Sequence, residues 1–63
     1  MIKEAYNFYC EGYDDARYRR NNTKTISDKV LKYAYELGVI DYTLEFGKQE
    51  EDIILKYIND NLK

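Results

Sequence analysis

Residues 39–47, VIDYTLEFG, decide the fold, because their pattern fits two different kinds of secondary structure. From Ile40 to Phe46 apolar and polar residues alternate, as they do in a half-buried β-strand. At helical spacing, however, Val39, Tyr42 and Phe46 share one face of a short helix. Whether this stretch forms a strand or a helix depends on the rest of the chain.

A first helix is predicted over residues 2–20. Its apolar residues recur at spacings of three and four and therefore share one face: Ile2, Ala5, Tyr6, Tyr9, Tyr13 and Ala16. Gly12 lies beside this face. A glycine within a helix costs about 1 kcal/mol relative to alanine, so Gly12 either admits a close neighbour or marks a bend. Phe8 and Tyr18 fall outside the apolar face, and we expect both to be exposed.

Two further helices are predicted, one on each side of the ambiguous stretch. Thr25 and Asp28 have the spacing of a capping box that starts the second helix, and Gly38 is placed to end it. The core face of this helix would be Ile26, Val30, Tyr33, Ala34 and Leu37. Acidic residues at 50–52 suit the first turn of a last helix, which runs to about Asn61, because the helix dipole attracts negative charge there. Its core face would be Ile53, Ile54, Tyr57, Ile58 and Leu62, with Leu55 pointing outward.

A strand at 40–46 would need a neighbouring strand. The other candidate, Thr23 to Ile26, is too polar to form a stable two-stranded sheet with it. We therefore predict an all-α fold, a small bundle of three main helices with a short fourth element at 40–46, in a single domain over residues 1–63. The alternative is an α+β fold with one strand at 40–46. We find no internal repeat, low-complexity tract or linker.

Composition narrows the class of protein. The chain has 63 residues, a net charge of −2, no histidine and one cysteine, Cys10. A lone cysteine cannot form an intramolecular disulfide, whereas secreted domains of this size are normally rich in disulfides, so we expect a cytoplasmic protein. No stretch has the length of a membrane span, and the N-terminal residues lack the unbroken apolar run of a signal peptide.

The residues that carry chemistry do not predict an enzyme. Without histidine, Cys10 lacks the base that usually activates a thiol. Asp14, Asp15 and the acidic residues at 50–52 are interpreted as solvated faces. The spacing from Asp41 to Asp52 approaches that of a calcium loop, but it puts phenylalanine where the loop requires glycine. We therefore expect no catalytic residue, no metal and no cofactor.

A basic patch at the end of the first helix is the candidate binding site. Three arginines surround a tyrosine there and a lysine follows, a combination that can contact phosphates or an acidic protein surface. Together with an aromatic residue from the same helix, the predicted partner-binding residues are Arg17, Tyr18, Arg19, Arg20, Lys24 and Phe8. The simpler interpretation is that these cations only complement the helix dipole.

Three functions fit these features. We expect a small non-enzymatic protein-binding module that regulates or inhibits a macromolecular partner, and its size and AT-rich composition suggest a phage or another mobile element as the source. The first alternative is a nucleic-acid-binding helix-turn-helix over Val30 to Phe46, although its second helix would offer no Arg, Lys, Asn or Gln to the bases. The second alternative is a homo-oligomeric structural subunit joined through a strand at 40–46.

Overall fold

A computed structural model describes residues 3–61, which form three α-helices and one short 3₁₀ turn. In chain order these are α1 (Glu4–Arg17), the 3₁₀ turn (Thr23–Thr25), α2 (Lys29–Thr43) and α3 (Glu51–Asn61). No strand occurs between residues 3 and 61, so the predicted all-α bundle of three helices is confirmed. The predicted core residues Ile2 and Leu62 lie outside the described residues. None of the described helices combines the length and the apolar character needed to span a bilayer.

The ambiguous stretch at 39–47 contains the end of α2 and the turn that follows it. α2 continues through Gly38 to Thr43, and the turn takes positive φ angles of 61° at Glu45 and 82° at Gly47. The separate element at 40–46 and the alternative strand are therefore both wrong. Because α2 is continuous, the alternative of a helix-turn-helix over Val30 to Phe46 is not formed either.

Two glycines explain why α2 continues past residue 38. A Cβ atom at Gly12 would collide with the backbone carbonyl of Tyr35, and a Cβ atom at Gly38 would collide with the backbone carbonyl of Tyr9. The backbones of α1 and α2 therefore touch with no side chain between them. Gly12 admits a close neighbour, one of its two predicted roles. Gly38 does the same instead of ending the helix, because tertiary packing outweighs its low helix propensity.

The ends of the first two helices also differ from prediction. Asp28 is the N-cap of α2, and its carboxylate accepts hydrogen bonds from the backbone N–H groups of Val30 and Leu31 at 2.8 and 3.1 Å. The capping box starting at Thr25 is therefore wrong, since Thr25 belongs to the 3₁₀ turn. α1 ends three residues before the predicted boundary, and Arg19 just beyond it has a φ of 60°.

The core lies where the three helices meet. Its buried apolar side chains are Ala5, Tyr9, Ala34, Tyr35, Ile54, Leu55 and Ile58. Cys10 packs against this core as a partly buried residue, as expected for a small hydrophobe. Phe8 also packs against it, so its predicted exposure is wrong. The inward face of α3 is rotated from the predicted one, because Leu55 is buried while Ile53 and Tyr57 are exposed.

Candidate functional site

The two helices that cross at the glycines carry the same three-residue pattern. A tyrosine, a glycine and an aspartate, each three residues apart, occur in α1 as Tyr9, Gly12 and Asp15 and in α2 as Tyr35, Gly38 and Asp41. The prediction that the chain contains no internal repeat is therefore wrong. The pattern Y-x-x-G-x-x-D is visible in the sequence, and it identifies the surfaces through which α1 and α2 pack.

Each tyrosine of the repeat bonds to the aspartate of the other helix. The hydroxyl of Tyr9 donates to Asp41 at 2.5 Å, and the hydroxyl of Tyr35 donates to Asp15 at 2.6 Å. Both bonds require α1 and α2 to run antiparallel, with the glycines at the centre of the crossing. The repeat thus fastens the helix pair at both ends.

At one end, the carboxylate of Asp15 is the centre of a buried polar cluster. Asp15 is only 2% exposed and accepts hydrogen bonds from Tyr35, Asn22 and Arg20, the last two at 2.8 and 3.0 Å. The hydrogen bond from Tyr35 is the main reason that the pKa of Asp15 lies below its usual value, although burial alone would raise it. The predicted solvated face at 14–15 is therefore wrong for Asp15. Asp14 is partly exposed and pairs with Lys48 at 3.4 Å.

At the other end, two tyrosines hold the segment that precedes α3. The hydroxyl of Tyr9 accepts a hydrogen bond from the backbone N–H of Gln49, and the hydroxyl of Tyr6 donates to the carbonyl of the same residue, both at 2.9 Å. The pKa of Tyr6 is raised to about 12, mainly because its hydroxyl is partly buried. Burial is also the main reason that the pKa of Tyr9 is raised. We call this arrangement the tyrosine clamp. It fixes the start of α3 against α1.

We expect alkaline pH to weaken the tyrosine clamp. The folded-state pKa of Tyr6 lies above the ordinary value of about 10, so its contribution to stability is complete below pH 10 and is lost as the pH rises through about 12. Tyr6→Phe should cost about 1 kcal/mol at pH 8, because the bond to Gln49 is lost. It should also reduce the loss of stability between about pH 10 and 12. Urea unfolding followed by circular dichroism at each pH measures both effects, and an unchanged pH profile in the variant would contradict this role of Tyr6.

An apolar groove opens between the end of α2 and α3, beside the tyrosine clamp. Its volume is about 360 Å³, and its lining is Leu37, Ile40, Asp41, Phe46, Gln49, Ile53, Ile54 and Tyr57. Four of these side chains remain largely exposed: Ile40 at 48%, Phe46 at 65%, Ile53 at 51% and Tyr57 at 49%. A contiguous apolar patch that remains open to solvent is a candidate interaction surface. We refer to this feature as the apolar groove.

Two of the polar groups at the apolar groove, the carboxylate of Asp41 and the backbone of Gln49, are already bonded within the chain. The carboxylate of Asp41 accepts the hydrogen bond from Tyr9, and the backbone of Gln49 is held by the tyrosine clamp. The surface that the groove presents is therefore mainly apolar.

No protein-family model, curated protein or solved structure matches the chain. Between residues 3 and 61, no group of three cysteine or acidic side chains is placed to hold a metal ion.

Part of the predicted basic patch is brought together at the end of α1. Tyr18 is 60% exposed, and the guanidinium groups of Arg17 and Arg20 lie over its ring at 5.6 and 5.3 Å from the centroid. Arg20 also pairs with Asp15 at 2.9 Å. Arg20 therefore has a structural role in addition to the predicted binding role, because it ties the corner to the buried carboxylate.

Of the remaining predicted binding residues, Phe8 does not join this group. Arg19 and Lys24 are exposed, whereas Phe8 packs against the core. We call residues 17–24 the basic corner. It remains a predicted binding surface, but Phe8 does not contribute an exposed ring to it.

The residues of the apolar groove were not predicted as a binding site. Ile53 and Tyr57 had been assigned to the core, and Ile40 and Phe46 to a separate element that is not formed. The sequence does contain one indication of this site, because α3 has more apolar residues than its inward face can hold. Five of the six residues from 53 to 58 are apolar or aromatic, and only Ile54, Leu55 and Ile58 turn inward.

Proposed function

We propose that this chain is a small protein-binding module that regulates or inhibits a macromolecular partner by covering part of its surface. The observation that carries the proposal is the apolar groove with its four half-exposed large side chains. Burial of apolar surface contributes roughly 25 cal/mol per Å², so these side chains can stabilise a complex that they do not stabilise in the free chain. Tyrosine is one of the residue types that most often dominate binding energy, and Tyr57 is 49% exposed at the groove.

The internal bonding of the groove also supports binding over chemistry. A catalytic site needs polar groups that are free to move a proton or attack a substrate, held at hydrogen-bonding distance from one another. Here the carboxylate of Asp41 is engaged by Tyr9, and the tyrosine clamp uses the backbone of Gln49. These bonds instead fix α2 and α3 as rigid walls, and a preformed groove lowers the entropic cost of association.

Substitutions in the groove should abolish partner capture without unfolding the protein. We expect a Phe46→Gln/Ile53→Gln double variant to weaken capture of partner from a host extract by at least tenfold, or about 1.4 kcal/mol. Its melting temperature should change little, because both side chains are already half exposed or more. Quantitative pull-down with immobilised protein, paired with thermal melts, measures the two effects.

Arg19→Ala is the matched control, since Arg19 is exposed in the basic corner, away from the residues that line the groove. It should capture the partner as the unsubstituted chain does. If Arg19→Ala loses capture and the groove variant retains it, the binding surface is the basic corner. If no protein is captured by the unsubstituted chain, the protein-binding proposal is wrong.

A further inference from the structure

We infer that the occupant of the apolar groove is an amphipathic helix of another protein that carries basic residues beside its apolar face. This inference rests on the proposed protein-binding function and adds the chemistry of the partner. It depends on the shape of the groove walls and on the charge that surrounds them.

The groove walls match the side-chain rows of a helix. On α2, the lining residues Leu37 and Ile40 lie three residues apart, and Ile40 is 48% exposed. On α3, Ile53 and Tyr57 lie one turn apart and are exposed to a similar extent. A docked helix presents apolar anchors at the same spacings, so its row of side chains can lie between these two rows. Residues 3–61 contain no strand edge to which an extended peptide could add.

The segment that forms most of the groove is acidic, and this charge favours a cationic partner. Residues 41–60 contain six acidic residues and two lysines, a net charge of −4. One of the lysines, Lys48, is directed toward α1, where it pairs with Asp14 at 3.4 Å and lies 5.3 Å from the ring centroid of Tyr13. Glu45 and Glu50, on either side of the turn that leads to α3, are exposed. Basic residues on a partner helix would meet this negative field and be steered by it.

The same charge disfavours a second copy of this chain at the groove. In a symmetric dimer the same patch faces itself, so two segments with a charge of −4 each would be brought together. An acidic amphipathic helix would meet the same repulsion. A basic helix relieves it, and its apolar face still buries the exposed side chains of the groove.

Two designed peptides test this inference. Both are fluorescein-labelled helices of about 18 residues with the same leucine face, and their other positions are mainly lysine in one and mainly glutamate in the other. Fluorescence anisotropy with the unsubstituted chain should show the lysine peptide binding at least tenfold more tightly than the glutamate peptide. The affinity should fall between low salt and about 0.3 M salt.

Three variants locate the binding. Phe46→Gln/Ile53→Gln should weaken the lysine peptide at least tenfold, and Glu45→Lys/Glu50→Lys should remove most of its advantage over the glutamate peptide. Arg19→Ala should leave its binding unchanged. Circular dichroism shows that each variant is folded before it is compared.

Other results would overturn the inference. Equal or tighter binding of the glutamate peptide would contradict the charge argument, and groove-dependent self-association in sedimentation would make a second copy the occupant. If neither peptide binds while the groove variant still loses its partner from extract, the partner class is wrong but the protein-binding function stands. If extract capture fails as well, both proposals fail.

Discussion

Replacing Gly12 with alanine should strongly destabilise this protein, although alanine is the better helix former by about 1 kcal/mol. The new Cβ atom would meet the backbone carbonyl of Tyr35, and a backbone atom cannot swing aside as a flexible side chain does. Separating α1 from α2 would strain both tyrosine–aspartate bonds. We expect a net loss of about 3 kcal/mol, within the range observed for overpacked sites. A domain of this size has a total stability of roughly 3 to 9 kcal/mol, so this loss is a large part of it and thermal melts should show a strongly lowered melting temperature.

Two other alanine variants complete this test. Gly38→Ala should be as damaging as Gly12→Ala, because its Cβ atom would meet the carbonyl of Tyr9 in the mirrored position. Asn7→Ala, at an exposed position of α1, should stabilise the protein by roughly 0.5 kcal/mol through helix propensity alone. If Gly12→Ala also raises the melting temperature, the close crossing of α1 and α2 is wrong.

Replacing Asp15 with alanine should cost about 3 kcal/mol or more, because it removes a buried charge to which three partners are bonded. The hydroxyl of Tyr35 would lose its acceptor inside the core. Arg20 would lose the ion pair that ties the basic corner to α1. Urea unfolding at neutral pH measures the loss.

The neighbouring residue Asp14 provides the control. It is partly exposed, and among residues 3–61 its carboxylate pairs with Lys48 alone, so Asp14→Ala should cost less than about 0.5 kcal/mol. The pKa of Asp15 is lowered in the folded state, so its contribution is present above its ordinary pKa of about 4 and is lost as the pH falls further. The gap in stability between the Asp15 variant and the unsubstituted chain should therefore narrow in acid. Similar losses for the two aspartates at neutral pH would contradict a buried cluster at Asp15.

Local periodicity was sufficient to predict much of the fold. The existence of α1 and α3 follows from residues within one or two turns of each other, whereas the same pattern left Gly12 open between a close neighbour and a bend. Gly38 could not be assigned in the same way. A glycine that ends a helix and a glycine that packs against another helix have the same local sequence, and only the position of α1 distinguishes them.

The buried residues that were missed depend on contacts across the chain. Asp15 appears solvated in sequence because its main partner, Tyr35, lies 20 residues away. The face of α3 was misassigned because apolar residues surround much of that helix, and its inward side is decided by where the tyrosine clamp holds Gln49. The Y-x-x-G-x-x-D repeat was the one sequence signal of these contacts, since it places each tyrosine opposite an aspartate.

The candidate site was the least predictable part of the chain. Composition predicts a binding site of six residues at and near the basic corner, and the fold itself uses two of them, since Arg20 bonds to Asp15 and Phe8 packs against the core. The apolar groove emerges only when the turn after α2 brings Phe46 beside α3. Sequence patterns within one helix do not contain that information.

Chemical-shift mapping with the lysine peptide tests the central claim most directly, because it reports on every backbone amide of the folded chain at once. We predict that titration of ¹⁵N-labelled protein will shift the amides around Ile40, Phe46, Ile53 and Tyr57 and leave residues 17–24 unchanged. Shifts confined to residues 17–24, or no shifts at millimolar peptide, would contradict the claim that the apolar groove is the binding surface.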